Sequence, residues 1–288
     1  MRAIMKAAGF PVEAENFFLE NWDKLCQNDS LNTFQSLLHT YHSEKNTTLA
    51  SVSQALNSLS EQTNIHIYSL CMLFCLQYAK IMESEYKIKK IPTSIFKSTI
   101  EDFKHKLIEC HKRFGIWGTF VFGWYENIFR LKCFGIGRLE FERIHLPFVY
   151  ADEHIVLEEG SQVINVHIPS GSPLTQEACM DSFRQAYAFF GFSDIMPIYC
   201  HSWLLFPPYR YLFAPNSNLE KFVDMFQIVR EHQTEQFDDF WRVFDTEDFH
   251  TAVPKTTLQK QMLSYMHKTP KFGLGEGICL FNGRKIIK

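Results

Sequence analysis

The chain carries no CxxC pair, no GxSxG, HExxH, Walker or dinucleotide-binding signature, and no lysine or arginine from Ile144 to Phe183. Each absence narrows the function. Without cysteines at metal-ligand spacing, the eight cysteines (26, 71, 75, 110, 133, 179, 200 and 279) read as reduced thiols of a cytoplasmic protein. Neither a disulfide framework nor a metal is expected. Cys71 and Cys75 stand at helical spacing inside an apolar run and read as buried small hydrophobes. The basic residues near the start precede no apolar stretch of secretory-signal length, so export is not expected. The longest apolar run, Ile65 to Ala79, is interrupted by His66, Ser69 and Gln77 and falls short of the ~20 residues of a bilayer span. No membrane association is expected. With 29 Lys+Arg against 32 Asp+Glu, the net charge of −3 supplies no field that would draw nucleic acid. Glycine is scarce, at 13 residues, whereas phenylalanine reaches 28, so large flat side chains must fill the core.

A chain of 288 residues suits two domains at roughly 100–200 residues each. The hydrophobic period changes once along it. From residue 13 to about 128 the period is helical: Leu31, Phe34, Leu38 and Tyr41, then Leu49, Val52, Leu56 and Leu59, step by three and four. Phe96, Ile100, Phe103, Leu107, Cys110 and Phe114 form the clearest amphipathic stripe. Ser30, Thr48, Asn64 and Thr93 stand where N-caps belong. After Arg130 the pattern alternates. Leu139 and Phe141 are interleaved with Arg138, Glu140 and Glu142, and Val163 to Ile168 is rich in β-branched residues. A helix is expected from Thr175 to Phe190, a strand from Ile198 to Phe206, a helix from about Asn218 to Val229 and another from Thr257 to His267. A short strand is expected at Ile278 to Phe281, after a tight turn at Gly273-Leu274-Gly275-Glu276-Gly277.

Several short strings occur in a telling order. They are Gly137-Arg138-Leu139-Glu140-Phe141-Glu142, Val166-His167-Ile168-Pro169, Ser182-Phe183 with Ala188-Phe189-Phe190, Cys200-His201-Ser202-Trp203-Leu204-Leu205, Ser217-Asn218-Leu219 with Phe222, and Thr257-Leu258-Gln259. Together with the element order they resemble a bacterial family of acyltransferase-domain proteins, in which a helical N-terminal domain precedes a GNAT-like C-terminal domain. The resemblance implies an α+β protein: an N-terminal helical bundle over residues 1–128, followed by a GNAT-like mixed-sheet α/β domain over residues 129–288. It also implies an N-acyltransferase that moves an acyl group from acyl-coenzyme A, or a related thioester, to an amine acceptor. The alternative is a non-catalytic module of the same fold that binds a small ligand or a partner protein.

Such an enzyme must hold a pyrophosphate, polarise a thioester and take a proton from an amine. The resemblance puts the pyrophosphate at the loop before the Thr175 helix, where Ser170, Gly171 and Ser172 offer backbone N–H groups and hydroxyls, and Pro173 cannot donate. The usual Gln/Arg-x-x-Gly-x-Gly/Ala signature is absent from this loop, and Glu177 and Asp181 follow it, so a cation has to arrive from another element. Alternation sets Arg138, Glu140 and Glu142 on one strand face and Asn165 and His167 on another. These faces read either as solvated polar surfaces or as a source of a general base, Glu140 or His167. Cys200 and Ser202 share a face that His201 does not, so Cys200 as a nucleophile would need a base from elsewhere, such as His167, and otherwise is packing. Ser202 and Tyr199 are candidates to protonate a leaving thiolate. Acidic residues from Glu231 to Asp248, interleaved with Phe237, Phe240, Trp241, Phe244 and Phe249, read as a solvated face over buried aromatics or as the wall of a cationic acceptor pocket.

Overall fold

The computed structural model describes residues 1–27, 30–246, 248, 250–268 and 271–287. The chain divides into two compact units, Met1–Gly135 and Ile136–Lys288. The first is helical, with α1 (Arg2–Ala8), α2 (Val12–Cys26), α3 (Ser30–Ser43), α4 (Leu49–Thr63), α5 (Ile67–Ile88), α6 (Thr93–Phe114) and α7 (Tyr125–Phe129). The stripes read from the sequence are the buried faces: Leu49, Val52, Leu56 and Leu59 on α4, and Phe96, Ile100, Phe103, Leu107 and Cys110 on α6. Helix α5 is buried all round from Ser69 to Ala79, as an unbroken apolar run requires of a central helix. Its Phe74 stacks on Tyr78 at 6.1 Å and meets Phe34 and Tyr41 edge-on. Among the described residues no single helix is long and apolar enough to cross a membrane.

Thr48 caps α4 in a reciprocal capping box with Ser51. The other three expected caps differ. Ser30 is the first residue of α3 itself. Asn64 does not begin α5 but ends α4 in the left-handed region, φ 53°, which an Asn side chain tolerates, and His66 caps α5 instead. Thr93 is the first residue inside α6, after Pro92.

The second unit holds a mixed sheet. Strand β1 (Cys133–Ile136) spans the division between the units, and β2 (Leu139–His145), β3 (Tyr150–Ala151), β4 (Val156–Leu157) and β5 (Gln162–His167) follow. Then come α8 (Gln176–Phe190), β6 (Met196–Ser202), α9 (Asn218–Val223), β7 (Gln227–Thr234), α10 (Phe240–Phe244), α11 (Thr257–Met266), β8 (Phe272–Phe281) and β9 (Ile286–Ile287). From β2 the sheet runs β2-β5-β6-β8-β7, with β9 beside β8 and a separate β3-β4 hairpin. β5 and β6 are parallel, joined through α8, and the other pairs are antiparallel. Helices gathered in one unit and a mixed sheet in the other make the α+β architecture expected from the sequence.

Register assigns the two faces. Phe141 and Phe281 meet Phe183 of α8 at 6.2 and 5.9 Å on one face. Leu146, Val163, Tyr199, Ile278 and Leu280 cluster on the other, with Tyr150 and Leu157 of the hairpin. Helix α8 begins and ends as read: Thr175 accepts from Ala178 N, and Gly191 closes the helix at φ 74°.

Three expectations fail in the last third. The strand expected to Phe206 ends at Ser202, and Trp203–Leu205 form a 3-10 turn. The helix expected to Val229 stops at Val223, and Gln227–Thr234 pairs with β8 as an edge strand. The glycine-rich segment at 273–277 is not a turn but the first half of β8. Its glycines are there for close approach: a β-carbon at Gly275 would strike the Leu205 carbonyl, and one at Gly273 the His232 carbonyl.

Candidate functional site

The parallel pairing of β5 and β6 covers Ile164 with Ile198 and Asn165 with Tyr199, while β5 runs on to His167 and β6 to Ser202. Side chains that flank this parting are set by register. Directly opposed residues point to the same side of a sheet. Glu140 faces His167 and Glu142 faces Asn165 across β2 and β5, Asn165 faces Tyr199, and His201 faces Glu276 across β6 and β8. One face therefore carries a row of polar side chains across four strands.

The β2–β5 part of this row is not a solvated surface. Glu140 is 3% exposed, and Glu142 and Asn165 are each 8% exposed. Glu142 Oε1 lies 2.9 Å from His167 Nε2 and accepts from Asn165 Nδ2 at 3.1 Å. A buried carboxylate placed this way can accept a hydrogen bond from the imidazole and orients the ring, and Asn165 Nδ2 lies 3.1 Å from the same Nε2. Sequence alternation shows Glu142 as one of several acids on a strand face. Only the packing of β5 alongside β2 brings it, one step along the face from the register partner Glu140, within hydrogen-bond distance of His167.

Cys200 falls on the opposite face from His167, since it neighbours Tyr199 in the strand. It is 1% exposed, and burial pushes its thiol well above the usual range. The structure therefore separates the Glu140–His167 pair from Cys200 and keeps the thiol protonated, against a nucleophilic role. Alkylation under native conditions, followed by peptide mass analysis, is expected to label the exposed Cys26 and to leave Cys200 slower by more than about tenfold. Equal labelling would restore the thiol as a candidate.

Ser202 shares the Cys200 face, where its hydroxyl accepts from Leu204 N at 3.2 Å. Tyr199 shares the His167 face. Burial first, and the neighbouring Glu276 carboxylate second, hold its phenol protonated. Beside Glu276 lie His232, whose Nε2 contacts Glu276 Oε1, and His201, whose imidazole burial biases toward the neutral form. His232 carries no signal in the sequence, because β7 is an edge strand whose exposure pattern is irregular.

The loop between β5 and α8 places Ser170, Gly171 and Ser172 at the surface before the helix N-terminus. Gly171 has φ 115°, which an L side chain rarely adopts. The missing cation arrives from the β1–β2 turn: Arg138 Nε donates to the Ser172 carbonyl at 2.7 Å. Arg138 N in turn donates to Ser182 Oγ of α8 at 2.7 Å, in a turn where a β-carbon on Gly137 would lie 2.6 Å from that oxygen. Arg184 and Lys285 line a recess of about 420 Å³ against the first turns of α8, beside Gln176, Glu177 and Met180. Three basic residues thus surround a stretch that has none of its own.

A larger cavity, about 540 Å³, is walled by Tyr150, Asp152, Glu153, Asp224 and Gln227 among others, and by none of the candidate residues. In the acidic stretch, Phe237, Phe240 and Phe244 are buried and Asp239 accepts from Arg242 Nε at 2.7 Å, while Glu247 and Phe249 lie outside the described residues.

Two family descriptions match the chain: an N-acyltransferase N-terminal domain over residues 1–131, and a GNAT-like C-terminal domain over residues 133–279. Similar solved structures include a mutant acyltransferase in complex with octanoyl-CoA, at TM-score 0.72 and 12% identity. Others are an acyltransferase with decanoyl-CoA and teicoplanin, at 0.70 and 12%, and one with decanoyl-CoA alone, at 0.68 and 16%. Each covers 96% of this chain and 86% of its own. At such identities they establish the fold. No curated protein matches the chain significantly.

Proposed function

Because the chain belongs to the family that joins an N-acyltransferase N-terminal domain to a GNAT-like C-terminal domain, we propose that it transfers an acyl group from an acyl-coenzyme A to an amine acceptor. The observation that carries this reading is the Glu142–His167–Asn165 cluster beside the parting of β5 from β6, in which Glu142 and Asn165 are buried and His167 is partly exposed. The similar acyltransferases bind octanoyl- or decanoyl-CoA, and one also holds teicoplanin, which supports a thioester donor and a small-molecule acceptor.

In this reading the backbone N–H groups of Ser170, Gly171 and Ser172 and the N-terminus of α8 hold the pyrophosphate. Arg138, bonded to the Ser172 carbonyl, supplies a positive charge beside this loop. The acyl-bearing arm enters where β5 and β6 separate. His167 takes a proton from the amine while Glu142 faces the imidazolium that forms, the amine nitrogen bonds to the thioester carbon, and the C–S bond breaks to release the coenzyme A thiolate. Tyr199, whose hydroxyl is held protonated beside Glu276, is the candidate hydrogen-bond donor to the departing sulfur.

The test is release of coenzyme A thiol from octanoyl-CoA by the purified chain in the presence of a panel of primary amines, with the acylated amine identified by mass. Acceptor-dependent release with matching product is expected. Binding of acyl-CoA with no release above the uncatalysed rate across the panel would contradict transfer and favour the binding-module reading.

A further inference from the structure

His201, His232 and Glu276 stand on three adjacent strands, β6, β7 and β8, with one face in common. Glu276 is the register partner of His201, and His232 pairs with Leu274, one step along that face. One nitrogen of each imidazole and one carboxylate oxygen lie within 4.8 Å of one another. The carboxylate is sealed and the imidazoles are open. Glu276 is 4% exposed, while the side chain of His232 is 42% exposed and His201 lies at the surface. Oxygen Oε2 of Glu276 makes no hydrogen bond of normal geometry among the described residues; Arg230 Nη1 forms an ion pair with it at 3.9 Å, and the Tyr199 phenol interacts with the same carboxylate. A buried carboxylate oxygen without such a bond is rare enough to call for one.

We propose that His201, His232 and Glu276 bind a divalent transition-metal ion of the zinc type, with solvent completing the coordination. Two imidazoles and one carboxylate suit zinc and its first-row neighbours, whereas magnesium and calcium take oxygen ligands. Three protein ligands leave one tetrahedral position open, and it faces solvent through His201. Insertion requires only that the Glu276 Oε1–His232 Nε2 contact opens until each atom reaches the ion at about 2.0–2.2 Å. Arg230 remains an outer partner of the carboxylate. The site does not depend on the acyl-transfer reading, because none of its ligands holds the donor or takes the amine proton. No motif announces it: the ligands are 31 and 44 residues apart along the chain, at 201, 232 and 276.

The test is competition for zinc between the purified full chain and a chromophoric chelator, with the visible spectrum of bound cobalt as a second readout. The wild-type chain is expected to take up one ion per chain, and His201→Ala and His232→Ala each to weaken uptake at least tenfold and to abolish the cobalt bands. His201 is exposed, so its loss leaves the fold intact, which circular dichroism checks. His154→Ala, on a loop outside the cluster, is expected to bind as wild type does. Equal zinc affinity in wild type, His201→Ala and His232→Ala, or no uptake by wild type, would overturn the proposal.

Discussion

His167→Gln is expected to lower kcat for acyl transfer by about 10²- to 10⁴-fold, the range found when a positioned general base is removed. Glutamine keeps the size of the side chain and a hydrogen bond to Glu142 but cannot take a proton. The KM for acyl-CoA is expected to change by less than about threefold, since nothing in the β5–α8 loop is altered. Glu142→Gln has a smaller effect in the same direction. It leaves the imidazole present but removes the carboxylate that orients it and faces the charge formed during transfer. A His167→Gln enzyme with unchanged kcat would move the base elsewhere on the polar face, with Glu140 next in line. Steady-state kinetics of thiol release decide the matter.

Gly171→Asp is expected to weaken acyl-CoA binding at least about 100-fold, by two separable effects. At φ 115° any side chain strains the backbone by roughly 1–3 kcal/mol. A carboxylate at that exposed position also meets the pyrophosphate charge, in a loop whose nearby basic groups are Arg138, Arg184 and Lys285. Gly171→Ala carries the strain without the charge, so the difference between the two variants isolates the electrostatic part. Titration calorimetry with octanoyl-CoA measures both. Equal affinity in the wild-type and Gly171→Asp chains would exclude this loop as the anion site.

The helical half was legible because each amphipathic stripe, such as Phe96 to Cys110, is local information: three- and four-residue steps name the buried face without reference to the rest of the chain. The same holds for α8, whose Thr175 cap and Gly191 stop lie within its own sequence. Strand β7 was not legible. It is an edge strand whose pairing partner, β8, lies about forty residues further along the chain, and half-exposed residues such as Ile228 and His232 give no clean alternation. The glycines of β8 read as a turn because the reason for them, backbone approach from the Leu205 and His232 carbonyls, is a tertiary fact.

The site divides in the same way. That Glu140 and Glu142 share a strand face follows from period two, but their burial and the pairing of Glu142 with His167 depend on β5 lying alongside. The sequence makes His167 a candidate base for Cys200. Register sets them on opposite faces, because a one-residue offset along a strand reverses direction. The cation required by the β5–α8 loop could not be located from a segment that has none, and Arg138 reaches it only through the turn held by Ser182.

The central claim, that the second unit is built to bind an acyl-coenzyme A, is tested most directly by thermal melting of the purified chain with octanoyl-CoA, acetyl-CoA and free coenzyme A. A ligand bound only by the native state at about 100 times its Kd adds about 2.7 kcal/mol. A dose-dependent rise in Tm of several degrees is therefore expected, larger for the acylated forms and absent in Gly171→Asp. An unchanged Tm with all three ligands at millimolar concentration would contradict the account.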